Sequence, residues 1–222
     1  MKKIFFLFLF TAMSLALNAQ DDPTPKYRQP KLIVKWSPIH LLGHFPTFQV
    51  ALEHRPSQKF GMQYDFGPVI NFNEVSIRTD TDKRGFKAKF QVRRYWPAAS
   101  RHWKFFAGPE VYYNKVNFKM GETYLVHDES GLDYYQYIQY DRKYREGGFS
   151  LNAGAVFSTY RFSIDFQIGV AQRFVHYNSI NRPTDTKYQL IPEKDHFPLN
   201  PIRQSQNLIS PTGCVRFCFI IL

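Results

Sequence analysis

Seven histidines and two cysteines are the side chains best suited to nucleophilic, acid–base or metal chemistry in this 222-residue chain, so their neighbours come first. A histidine activates a hydroxyl only within hydrogen-bond reach of it. His176 and Ser179 come closest to such a pair, at the end of a strand-like segment, but their spacing suits a rim histidine better than a base. Asp80 with Asp82, and Asp195 with His196, lie in irregular polar sequence and read as solvated loop charges. His127, Asp128 and Glu129 are consecutive, so in an extended loop they alternate direction and do not converge on a metal. Cys214 and Cys218 sit four apart in a strand, where a rise of about 3.3 Å per residue puts their Cα atoms roughly 13 Å apart, beyond disulfide reach. They read as small space-fillers, and with no His/Cys pair nearby they make no zinc signature. No Gly-rich phosphate loop or nucleophile elbow is present. The expectation is no catalytic residue, no metal and no cofactor.

The elements that would carry any site follow from composition. Hydrophobic residues make up 44% and charged residues 21% of the chain, too many charges for a polytopic helical membrane protein. Aromatic residues reach 18%, with 22 Phe and 14 Tyr, which favours strands over helices. Mean hydropathy is −0.40. The one long apolar run, Ile4 to Leu17, follows Lys2 and Lys3 and precedes Ala19, so residues 1–19 read as a cleaved secretory signal peptide. Residues 20–30 (QDDPTPKYRQP) read as a flexible leader. Removing Lys2 and Lys3 takes the formal charge from +11 to +9.

Beyond the leader the dominant period is two. Phe162, Ile164, Phe166, Ile168 and Val170 alternate with Ser163, Asp165, Gln167, Gly169 and Ala171, a strand with one apolar and one polar face. The pattern predicts eight strands at about 31–41, 46–55, 59–69, 84–96, 103–119, 144–157, 160–175 and 209–222. The fifth contains Pro109 and changes apolar parity after Tyr113, which predicts a bulge. After the first hairpin, short and long connections alternate, as in an up-and-down meander whose rims face different compartments. The long connections fall at about 70–83, 120–143 and 176–208.

Eight antiparallel strands with one apolar face permit two barrels, apolar inside or apolar outside. The polar face is loaded with small residues (Gly61, Gly67, Gly108, Ser150, Asn152, Gly154, Ser163, Gly169, Ala171), whereas the other face is rich in Phe. An eight-stranded interior has little room, so volume puts the small face inside. Inward charges are then Lys35, Glu53, Arg55, Asp65, Lys87, Lys89, Arg93, Glu110, Asp165, Arg173 and Arg216, expected to pair as a polar plug with no open channel. Trp96, Trp103 and Tyr160 flank short turns, and Tyr112, Tyr113 and Tyr177 approach the long loops, so these six are expected in two interfacial aromatic girdles.

These features resemble the small eight-stranded outer-membrane β-barrels of Gram-negative bacteria, such as the membrane domain of outer-membrane protein A and its relatives. The resemblance spans residues 31–222 and rests on the signal peptide, the alternation, the short and long connections and a final strand. It implies an all-β, eight-stranded antiparallel up-and-down transmembrane barrel with a polar lumen, in the outer membrane. The family's last strand ends in an outward aromatic residue, whereas here the outward set stops at Ile221 before Leu222, with no peptidoglycan-binding domain expected beyond. Lipid-trimming enzymes of the group have a His-x-Ser arrangement that none of the seven histidines matches. The expected function is therefore non-enzymatic, structural or surface-interacting through the long loops. A lipid-modifying or proteolytic outer-membrane enzyme and a soluble secreted barrel for an apolar ligand are the alternatives. Tyr124, Tyr134, Tyr135, Tyr137, Tyr140 and Tyr188, interleaved with Asp128, Asp133, Asp141, Arg142, Arg182 and Lys187, suit the loops to polar contact surfaces. Arg78, Lys83, Arg84, Lys115, Lys119, Arg142, Lys143 and Arg145 gather near the outer rim, where lipopolysaccharide phosphates are the expected partners. The protein is expected to be a monomer that binds no nucleic acid.

Overall fold

Side-chain alternation sets the fold, because a strand with one apolar and one polar face must separate those faces on either side of a sheet. The computed structural model describes residues 32–42, 44–71, 80–97, 102–127, 131–159, 162–183, 187–190 and 205–221. The expected signal peptide (1–19), the leader (20–30), Arg78, Asp128, Glu129, Tyr160, Asp195, His196 and Leu222 lie outside the described residues. The strands are β1 (Leu32–Ser37), β2 (Gln49–His54), β3 (Phe60–Pro68), β4 (Asp80–Pro97), β5 (Trp103–His127), β6 (Asp133–Ser158), β7 (Phe162–Ile180), β8 (Tyr188–Leu190) and β9 (Ser205–Ile221). They form one antiparallel sheet, closed into a ring by the β4–β5 and β1–β9 pairings. Eight strands make the ring. The ninth, β8, falls within the expected loop 176–208 and pairs with the far end of β5 at Tyr124↔Leu190 to Val126↔Tyr188.

Strands β4, β7 and β9 run four or five residues further toward the long-connection rim than expected, at Asp80, Ile180 and Ser205, and two larger differences stand beside that. First, β1 stops at Ser37 and β2 starts at Gln49, so the first connection is longer than the alternation suggested. Pro38, which lacks an N–H, opens a short 3-10 helix (Pro38–Leu42) instead of extending the ladder. Second, the expected loop 120–143 is a hairpin: β5 and β6 pair without a break from Trp103↔Phe157 to His127↔Asp133. The predicted bulge after Tyr113 is therefore absent. Even-numbered residues of β5 face inward from Phe106 to Val126. What changes at Tyr113 is the polarity of the outward face, whose residues are apolar below it and Lys115, Asn117 and Lys119 above it. The register shift lies on the neighbouring strand, between Thr81 and Arg84 of β4, where Asp82 adopts φ 54°.

Pro109 does perturb pairing, though on its other edge. The β4–β5 register passes from Gln91↔Glu110 to Arg94↔Ala107 with no paired residues between. There the backbones crowd together, and a Cβ on Gly108 would stand 1.8 Å from the Val92 carbonyl oxygen.

Candidate functional site

The ring's two faces differ in polarity. Its outward face carries exposed apolar side chains on strand after strand, among them Leu52, Phe66, Val111, Leu151, Phe166, Val170 and Phe219, and Ile168 is 73% exposed. Its interior is packed with charge. Closure of the ring brings together residues as distant in sequence as Lys35 and Asp165. Lys35 Nζ lies 2.5 Å from Glu53 Oε2 and 2.6 Å from Asp165 Oδ2. Arg93 donates to Asp165 Oδ2 at 2.5 Å and to Gln167 Oε1 at 3.0 Å. Arg216 donates to Gln167 Oε1 at 2.7 Å and to Asp65 Oδ2 at 3.0 Å. Arg55 ion-pairs with Glu53, which also accepts from the Tyr95 hydroxyl at 2.5 Å. The Arg55 and Arg93 guanidinium groups stack on Tyr95 and Phe106, 4.4 and 4.1 Å from the ring centroids. Small residues make the room: a Cβ on Gly61 would stand 3.0 Å from both Glu53 Oε1 and Tyr95.

A looser polar layer follows toward the long-connection rim. Lys89 Nζ lies 3.9 Å from Glu110. Arg173 pairs with Glu146 at 2.5 Å, and Glu146 also accepts from Asn114 at 2.9 Å and from Tyr144. Lys87 donates to the Phe45 carbonyl at 2.9 Å. Every charged position expected inside thus has an inward polar partner. Gln167 was placed on the polar face by the alternation, whereas Glu146, Asn114, Gln91 and Tyr95 were not singled out from the sequence as members. Glu146 was legible, because it continues the inward parity of Gly148, Ser150 and Asn152 by one step.

Above this layer the interior becomes apolar. Phe45, on the connection between β1 and β2, folds into the ring and packs on Val116, Phe118, Tyr144, Val175 and Tyr177. Thr47, fully buried, fastens that connection through its N–H to the His40 carbonyl at 3.0 Å and its hydroxyl to the Phe45 carbonyl at 2.9 Å. The mouth is thereby closed from within.

Of the expected girdle aromatics, Trp96, Trp103 and Tyr113 are exposed outward. Tyr177 is buried in the apolar cluster, and Tyr112, at an even inward position, places its hydroxyl 3.4 Å from the Gln172 carbonyl. These two are corrections. Tyr112 and Tyr113 are adjacent, so strand alternation cannot send both outward, and the same alternation turns Tyr177 inward beside Val175.

Beyond the ring's rim, β5, β6 and β8 continue as a three-stranded extension. Its inward side is covered by Arg182, which lies 3.3 Å from Glu122 and 3.4 Å from the Tyr124 hydroxyl. Tyr140 and Tyr124 are buried there, whereas Tyr134, Tyr135 and Tyr137 are exposed. At the tip, His127 Nδ1 is 2.9 Å from Asp133 and Nε2 is 3.3 Å from Gln189. Hydrogen bonding to Asp133, then to Gln189, raises the His127 pKa above its ordinary 6.5.

The chemistry candidates do not assemble. His176 and Ser179 lie on opposite faces of β7 by strand parity, and Asp82 pairs with Lys119 at 3.2 Å. Cys214 and Cys218 are buried free thiols. Among the described residues, no group of three or more His, Cys, Asp or Glu is placed to hold a metal ion. No helix there is long and apolar enough to cross a membrane. No family model, curated protein or solved structure matches the chain.

Proposed function

We propose that this chain is a non-enzymatic outer-membrane β-barrel, exported by residues 1–19 and acting as a structural or surface-interaction protein through its external extension. One observation carries the reading: the ring wears its apolar side chains outward and its ion pairs inward. In water that arrangement exposes a continuous apolar belt far larger than the few hundred Å² that soluble monomers show. In a bilayer it is the arrangement that closed sheets require. On β5 the apolar outward positions run from Trp103 to Tyr113, and 11 residues is the length a tilted strand needs to cross hydrocarbon.

The interior supports a barrel that does not conduct, since ion pairs and the Phe45 plug fill it. It also disfavours an apolar-ligand carrier, whose cavity would be lined by the face that here points out. The exposed Tyr134, Tyr135 and Tyr137, held on a rigid hairpin, are the proposed contact surface for a partner outside the cell.

The test is heat-modifiable gel migration after refolding in detergent, combined with Phe166→Arg. Near the bilayer midplane that arginine should cost about 2–4 kcal/mol. A water-soluble folded monomer that tolerates it would overturn the proposal.

A further inference from the structure

On three neighbouring strands, β4, β5 and β6, the two outward rows just above the apolar belt carry four cations, Arg84, Lys115, Lys143 and Arg145. The last apolar row runs Ala88, Tyr113, Gly147, Phe174 across β4, β5, β6 and β7. The next row is Phe86, Lys115, Arg145, His176, and the row above it Arg84, Asn117, Lys143, Asn178. Lys115 and Arg145 are direct cross-strand partners, a juxtaposition of like charges that is unfavourable unless an anion lies between them. Among the described residues Arg84, Lys115, Lys143 and Arg145 form no ion pair, and the nearby Asp82 is taken by Lys119 at 3.2 Å. An open groove of about 450 Å³ lies along this ledge, lined by Arg84, Lys119, Arg142 and Lys143 together with Asp82 and Asp141, so its cations outnumber its carboxylates.

The ledge is one-sided. On β9 the positions level with Phe174 and His176 are Asn207 and Ser205, which carry no charge. A ligand seated here meets unpaired cations above and aromatic and aliphatic surface directly below, which is the chemistry of an anionic amphiphile.

We propose that this ledge binds the phosphate-bearing head groups of anionic lipid in the leaflet at the long-connection rim. The proposal rests on the membrane reading above. Lys and Arg held at a membrane surface contribute roughly fivefold each to anionic-lipid binding, less where salt screens them.

The experiment reconstitutes the full chain in phosphatidylcholine vesicles with a trace of spin-labelled phosphatidylglycerol or spin-labelled phosphatidylcholine, and measures the protein-restricted fraction of each. Heat-modifiable migration reports folding in the same samples. The expected result is a preference of about fivefold or more for phosphatidylglycerol, lost in Arg84→Gln/Lys115→Gln/Lys143→Gln/Arg145→Gln and kept in Lys59→Gln/Arg94→Gln at the opposite rim. Folded, embedded protein without that preference overturns the lipid site and leaves the barrel reading standing. So does a preference that survives the quadruple substitution, or one that millimolar inorganic phosphate abolishes, since that would mark a free-anion site. Failure to embed in vesicles at all overturns both.

Discussion

Asp165→Asn tests whether the interior network holds the ring together. Asp165 is fully buried and faces three cations, with Lys35 Nζ at 2.6 Å, Arg93 at 2.5 Å and Arg216 at 3.9 Å. The amide keeps the side chain's volume and one acceptor, so the change isolates the charge. Lys35, Arg55, Arg93 and Arg216 would then share only Glu53 and Asp65. Removing one partner of a buried ion pair costs about 3–5 kcal/mol, because the charge left behind stays out of water. Against a typical total of roughly 5–15 kcal/mol the loss is large. Urea unfolding from phosphatidylcholine vesicles, followed by tryptophan fluorescence and by gel migration, would measure it. Lys35→Met/Asp165→Asn removes a cation along with the anion and should cost less than the sum of its single changes, by roughly 1–3 kcal/mol. Because the pair is buried, raising the salt should change these values little. A single Asp165→Asn change within about 1 kcal/mol of the parent, or strict additivity in the cycle, would refute the reasoning.

Further expectations concern the plug, the extension and the tip. Planar-bilayer recordings of the purified protein should show no steady conductance, and a stable ion-conducting pore would contradict the closed interior. Gly61→Ala should destabilise by about 1–3 kcal/mol in the same urea assay, since its methyl group would press on Glu53 and Tyr95. Excising residues 123–137, whose end residues are cross-strand partners, and joining the cut ends with Asn-Gly should leave heat-modifiable folding intact while removing the proposed contact surface of Tyr134, Tyr135 and Tyr137. An excision of 125–140 is different: it deletes the partners of residues 120 to 124 and should leave that stretch exchange-labile. The tip should respond to pH. The folded pKa of His127 is raised, so its contribution is fully present below the ordinary 6.5 and is lost as pH rises through the higher folded value. Its amide donates to the Lys187 carbonyl at 3.0 Å, so hydrogen exchange there, corrected for the intrinsic pH effect, should be better protected in acid. Equal protection on both sides would refute that link.

The strand pattern, the polarity of each face and the identity of the interior charges were legible from residue types, because a period of two assigns a face to every position once one is known. Lys35, Glu53, Arg93, Asp165 and Arg216 follow from that arithmetic alone. It also contained the corrections for Tyr112 and Tyr177, had parity been carried through without interruption. The extension of β5 and β6 was hidden because Val116 and Phe118, and beyond them Tyr124 and Val126, face inward where the apolar residues lower on β5 face outward. That reversal resembles a bulge when one strand is read alone. Which acid meets which base was not legible, since Lys35 and Asp165 stand 130 residues apart and become neighbours only when β1 pairs with β9 and β9 with β7. The inward fold of Phe45 is likewise a tertiary decision. Local sequence stops the strands around Pro38 and Pro46, but only the space left inside the closed ring, and the aromatic side chains already lining it, determine that the connection turns in and seals the mouth.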